Sequence, residues 1–131
     1  MTGWIGDIEA ETTRNQTFRT VLFTGDHLQL TVMSIPAGSE IGLEAHDHLD
    51  QFIRVESGHG RLDMGPAKDQ VDEHHDLEDD WAAIIPAGTW HNVVNTGDED
   101  LKLYSIYTPP EHPDGTVHAT KAEADAAEHD H

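Results

Sequence analysis

Between residues 18 and 107 the chain is a succession of short β-type runs, each closed by a turn signal. Phe18 to Phe23 ends at Thr24-Gly25-Asp26. His27 to Ile35 alternates, with Leu28, Leu30 and Val32 on one side and Gln29, Thr31 and Met33 on the other, and stops at Pro36-Ala37-Gly38-Ser39. Ile41 to Ala45, Gln51 to Glu56, Arg61 to Met64, Ala82 to Ile85, Thr89 to Val94 and Leu101 to Tyr107 continue the series, with a weaker acidic stretch from Val71 to Asp80. Short strands in this number, spaced by Gly, Pro, Asn and Asp turns and with hardly any helix between them, predict an all-β sandwich or jelly roll. A barrel of this size is just wide enough to hold one small ligand.

At 131 residues the chain is most simply one domain. Residues 1–17 form a polar N-terminal segment with a possible edge strand at Trp4-Ile5, residues 18–108 the barrel, and residues 109–131 a Pro-containing loop and acidic tail. From Ala119 onward that tail has the composition for a turn or two of helix. Pro109, Pro110 and Pro113 point to a loop that crosses the barrel or a neighbouring subunit. The absence of cysteine excludes a disulfide framework and any thiolate metal site, so a bound metal must take nitrogen and oxygen ligands. No basic leader with an apolar core opens the chain, and no apolar run approaches the roughly 20 residues of a membrane helix. These features predict a soluble, cytoplasmic protein.

Chemistry concentrates in two segments. The first is Glu44-Ala45-His46-Asp47-His48-Leu49-Asp50-Gln51, the second Pro86-Ala87-Gly88-Thr89-Trp90-His91. Side chains two apart on a strand share a face, so Glu44, His46 and His48 can all look into one interior. Gln51 opens the next strand, and the Pro-x-Gly turn sets the entry of His91. Imidazoles with an oxygen donor suit Fe, Mn, Zn, Ni or Cu, so the expected cofactor is a divalent transition metal. Met33, Trp90, Tyr104 and Tyr107 are candidates for the pocket wall, with plain core the simpler role for the aromatics. The remaining histidines, His27, His59, His74, His75, His112, His118, His129 and His131, are expected to be solvated or structural. Arg54 falls on the strand face opposite Gln51, Ile53 and Val55, where it pairs with an acid or meets a partner.

These segments resemble the two motifs of the cupins, of the small single-domain (type-2, RmlC-like) kind. The first motif reads Gly-x5-His-x-His-x3,4-Glu-x6-Gly, and here His46, His48 and the closing Gly58 match it. Only two residues separate His48 from Gln51, which occupies the position of the motif's glutamate counted back from Gly58. The second motif reads Gly-x5-Pro-x-Gly-x2-His-x3-Asn. It matches from Pro86 through Gly88 and His91 to Asn95, with Asp80 in place of its leading glycine. The stretches Asp50 to Glu56 and Pro86 to Asn92 are also similar to a subgroup of small bacterial and archaeal cupins. The resemblance covers residues 18–108 and implies a jelly-roll (double-stranded β-helix) barrel, a homodimer and a metal held by residues of both motifs. The ligands it implies are His91, His46, Gln51 and His48 in that order, with Glu44 last, as a further carboxylate ligand or a catalytic base.

Three readings of function stay open. One is a metal-dependent enzyme acting on a small polar or anionic molecule, with isomerase, lyase and dioxygenase chemistry all possible. The second is a non-catalytic cupin that binds or senses a small molecule. The third is a structural dimer whose site has decayed. A surface with 26 acidic against 7 basic residues, net −19, repels nucleic acid and anionic lipid, so neither is an expected partner. Spread along the whole chain, that charge reads as adaptation to a high-salt cytoplasm, where screening relieves its self-repulsion. The melting temperature is therefore expected to rise as KCl goes from about 0.1 M to about 1 M, over which the screening length falls from about 10 Å to about 3 Å. A level or falling melting temperature in a thermal scan over that range contradicts the reading.

Overall fold

Alternation along the strands sorts the residues into an inner and an outer face, and two antiparallel sheets form to bury the inner ones. The computed structural model describes residues 2–129, with side chains through residue 127; His131 and the side chain of His129 lie outside them. The larger sheet has six strands: β1 (Arg19–Thr24), β2 (Gln29–Ile35), β3 (Asp50–Ser57), β6 (Ala82–Ile85), β8 (Leu101–Thr108) and β9 (Val117–His118), in the order β6-β3-β8-β2-β1-β9. The smaller has three, β4 (Gly60–Gly65), β5 (Glu73–Leu77) and β7 (Trp90–Asn95), in the order β5-β4-β7. The architecture is a jelly roll. Its apolar core is built from the inward residues of both sheets, among them Met33, Ile53, Leu62, Val93 and Leu103.

Two pairings set the inner face of the large sheet. Gln29 and Gln51 flank Tyr107, while Thr31 and Ile53 flank Ser105. Directly opposed residues in an antiparallel pair share a face. The sheet therefore presents a polar patch of Gln29, Thr31, Gln51, Ser105 and Tyr107 at one end and aliphatic residues at the other.

Residues Ile8–Arg14 form a helix, α1, and Trp4 and Ile5 lie in no strand. This differs from the edge strand expected there. Asp7 caps the helix by accepting from the Ala10 N–H at 3.1 Å, which satisfies one of the free N–H groups of its first turn. The helix lies against β8, β3 and β2. That cover explains why β2, whose sequence alternates, is buried at every position. Lys102, on the outer face of β8, donates to the Asn15 carbonyl and ties the end of α1 to the sheet. The C-terminal helix α2 (Lys121–His129) is longer than the turn or two expected. No helix among the described residues is long and apolar enough to cross a membrane.

The loop after β8 folds back across the inner face, and one buried side chain holds it there. Gln29 donates to the His112 carbonyl at 2.7 Å and to Thr24 Oγ1 at 3.0 Å. Its Oε1 accepts from the backbone N–H groups of Glu111 at 3.2 Å and His112 at 2.9 Å. A leucine of similar volume offers none of these bonds and leaves three backbone groups to find other partners. Gln29→Leu is expected to cost about 2–4 kcal/mol in urea denaturation, because stranded buried polar groups cost more than a hydrogen bond contributes. A loss under about 0.5 kcal/mol would show that the loop stands without the latch.

Candidate metal centre

Residues 39–46 run beside β7 without forming a regular strand. Asn95 N–H donates to the Ser39 carbonyl and Ile41 N–H to the Val93 carbonyl, each at 2.9 Å. Glu44 and His91 then exchange both backbone bonds, at 3.0 and 2.8 Å. A pair that exchanges both bonds directs its side chains to one face. The Glu44 carboxylate and the His91 imidazole are therefore neighbours by backbone register. One step further, the Gly88 N–H donates to the His46 carbonyl at 2.8 Å. Gly88 makes this turn at φ 82°, a conformation that a side chain disfavours.

Glu44 Oε1 stands 3.5 Å from His46 Nε2 and 3.6 Å from His91 Nε2. One donor atom from each of the three residues falls within 4.8 Å of the others. These separations are long for hydrogen bonds. They approach the spacing of about 3.4 Å that bonds of about 2.0–2.2 Å impose on neighbouring ligands of a tetrahedral ion. His91 is 3% exposed. Its Nδ1–H donates to the Thr89 carbonyl at 3.0 Å, which leaves Nε2 bare. That Nε2 is buried and has no hydrogen-bond partner. Burial alone would raise the Glu44 carboxyl, but the imidazoles of His46 and His91 beside it hold it far below the usual carboxylate range. The cluster thus presents an ionised carboxylate and two imidazoles to one point, a donor set that fits a divalent transition metal.

The other predicted residues fall as follows. Gln51 is 2% exposed on the inner face of β3; its amide N–H donates to Ser105 Oγ at 3.4 Å and its Oε1 has no partner. His48 lies exposed in the turn before β3, outside the cluster, because residues 47–48 leave the extended conformation that would have kept it in phase with Glu44 and His46. Met33 is fully buried within the apolar core. Trp90 and Tyr104 sit on the outer phases of β7 and β8, since His91 and Leu103 take the inner ones. Tyr104 packs near Phe52, ring centroids 6.1 Å apart. Arg54 is also outward and pairs with Glu56 at 2.8 Å and Asp80 at 3.0 Å.

The placement corrects the register of the first motif. With four residues between the second histidine position and Gln51, the histidine positions fall on Glu44 and His46, and the leading glycine on Gly38. A glutamate replaces a histidine at 44 and a glutamine replaces the glutamate at 51. The carboxylate has moved along the chain while the positions remain. In the second motif, Asp80 takes the leading glycine's place and keeps its backbone, at φ 72°.

Sequence reasoning missed two residues beside the cluster. Glu111, on the latched loop, brings its carboxylate to 3.6 Å from His46 Nδ1. His112, expected to be a surface residue, packs edge-on against Tyr107 with ring centroids 5.2 Å apart. Tyr107 in turn meets His46 edge-on at 6.1 Å. Burial pushes the Tyr107 phenol up to about 12, so it keeps its proton. Burial, helped by the Arg19 charge, pulls the His112 imidazole down to about 3.

The Cupin domain family matches this chain over residues 31–107. The uncharacterized protein YrkC of Bacillus subtilis (strain 168) is 54% identical over 125 residues, spanning 95% of this chain and 67% of that protein. Protein L612 of Acanthamoeba polyphaga mimivirus is 38% identical over 115 residues, 87% of this chain and 70% of its own. Among solved structures, BH2720 of Bacillus halodurans superposes with a TM-score of 0.93 at 59% identity, covering 94% of this chain and 93% of that one.

The folded state keeps His112 neutral down to about 3, whereas the unfolded chain protonates it near 6.5. Between those values the unfolded state binds more protons, so stability falls as pH drops below 6.5. His112→Asn is expected to flatten the decline between about pH 6.5 and about pH 5, above the range where carboxylates titrate. Parallel slopes for both proteins in urea denaturation would contradict this.

Proposed function

We propose, from the premise that this chain belongs to the cupin domain family, that it is a metal-binding protein acting on a small polar or anionic molecule inside the jelly roll. Glu44, His46 and His91 hold the ion, with the Gln51 amide oxygen as a fourth donor and His48 outside the shell. The convergence of three donor atoms within 4.8 Å carries this reading. The orphaned Nε2 of His91 and Oε1 of Gln51 support it independently.

A divalent transition ion held by these residues would supply Lewis-acid polarisation of a bound group. The chain's own groups complete the chemistry. Glu44 neutralises one charge of the ion and leaves a net positive centre that favours an anion at an open position. Tyr107 remains a phenol and holds its proton beside His46. The loop held by Gln29 brings Glu111 and His112 to this face. Isomerase, lyase and dioxygenase chemistries are all compatible with such a centre. The alternative is a non-catalytic cupin that binds or senses a small molecule; the neutral Gln51, at the family's glutamate position, favours it by removing a basic group. Turnover of a ligand separates the two, because a pure binder raises the melting temperature without consuming what it binds. The exposed Ile84 of the open edge strand β6 and Trp81 just before it, 68% and 51%, support a homodimer that covers this edge. The acidic surface supports a salt-rich cytoplasm as its setting.

Elemental analysis of the untagged full chain is expected to find about one metal ion per chain, since ligands fixed by the fold bind a single ion. His91→Ala, His46→Ala and Glu44→Ala should each lose it, and His48→Ala should keep it. Metal that survives the first three substitutions would overturn the assignment.

A further inference from the structure

The interior holds a second buried charge, of opposite sign to Glu44. Arg19 opens β1, two residues from Val21, which pairs with the inward Thr31. Its side chain therefore enters the same inner face. Arg19 is 3% exposed. An arginine buried to this degree is ordinarily met by a carboxylate, because an unpaired buried charge is costly. Among the described residues none lies within ion-pair distance of it. Its Nη1 stands 3.4 Å from His118 Nδ1, an imidazole rather than a carboxylate, and its carbon centre lies 5.5 Å from the Phe18 ring. Its Nε is buried with no hydrogen-bond partner.

The neighbours repeat the pattern. Thr31 is fully buried and its Oγ1 has no partner. His112 Nε2 is likewise buried and unpartnered. The Arg19 charge acts on both Tyr107 and His112, which connects it to the rings beside His46. A cation and a hydroxyl left unsatisfied on one buried face form an anion site, and the planar guanidinium selects a carboxylate over a spherical anion.

We propose that Arg19, aided by the Thr31 hydroxyl, is the anion-recognition residue of this interior, and that the molecule bound there is a small carboxylate whose oxygens accept from Arg19 Nε–H and Thr31 Oγ1–H. This rests on the reading of the interior as the binding site, but the recognition itself does not require the metal. It places the carboxylate at Arg19 and the rest of the molecule toward Glu44, His46 and His91, and so narrows the substrate from polar or anionic molecules to short carboxylic acids.

The test uses the full chain, metal-loaded and chelated, with acetate, pyruvate and malonate as probes at constant ionic strength against chloride. At least one probe is expected to raise the melting temperature and give a calorimetric binding isotherm in both forms. Arg19→Met should weaken that binding roughly tenfold or more, the loss expected for one charge-assisted hydrogen bond. Arg19→Lys, which keeps the charge without the fork, should fall between. Thr31→Val should weaken binding while raising the melting temperature of the ligand-free protein, because it removes an unsatisfied hydroxyl. This variant and Arg19→Lys carry the test should Arg19→Met fail to fold. Metal content should stay unchanged in all three. No response to any carboxylate beyond chloride, or equal affinity in the wild type and the variants, overturns the proposal. Failure of the metal reading registers separately, as wild-type protein that takes up no ion whatever the carboxylates do.

Discussion

The reciprocal backbone pair between Glu44 and His91 is the contact on which the candidate site depends. The two residues lie in segments that have no local reason to meet, one irregular and one a regular strand. Two short hydrogen bonds fix their register, and that register alone puts the carboxylate beside the imidazole. A slip of one residue would turn Glu44 to the outer face. The Thr89 carbonyl then sets which nitrogen of His91 is bare, and the Gly88 turn holds the backbone of His46. Each step is a backbone bond, so the geometry of the donors does not rely on long side chains finding one another.

The polar residues of the inner face divide into those satisfied by protein and those not. Gln29 uses its donors and acceptor fully, to hold a loop. Arg19, Thr31, Gln51 and His91 each keep a buried atom unsatisfied. An interior built only for packing would replace such groups with aliphatic ones, as the Leu103 end of the same sheet does. The contrast between Gln29 and Gln51, one residue type on either side of Tyr107, separates a structural amide from a candidate donor.

The jelly roll was legible because strand alternation and Gly/Pro turns are local signals. Seven of the nine strands among the described residues fall within a residue or two of a predicted run, whereas β9 had none and the run Ile41 to Ala45 forms no regular strand. Helix α1 was not, because a helix of seven residues carries little propensity of its own and forms by packing on the sheet. The site was legible as two segments but misread in register. His46-x-His48 satisfied the motif by residue type, and only the count to Gln51 favoured Glu44-x-His46 instead. Reading identity before spacing put the exposed His48 into the shell and the central Glu44 last. Arg19 and His112 left no trace in the sequence. An arginine opening a strand and a histidine between prolines look solvated until tertiary contacts bury them.

The irregular path of residues 39–46 bears on timing as well as geometry. Glu44 and His46, both candidate donors, ride on an irregular segment tied by backbone bonds at Ser39, Ile41, Glu44 and His46, whereas His91 and Gln51 belong to regular strands. Segments held this way open without the rest of the fold unfolding. Were an ion held there, opening of that segment would withdraw the Glu44 and His46 donors together while His91 and Gln51 stayed in place. The residence time would be governed by that local opening rather than by global unfolding, so a stable fold and a labile ion are compatible in one small protein.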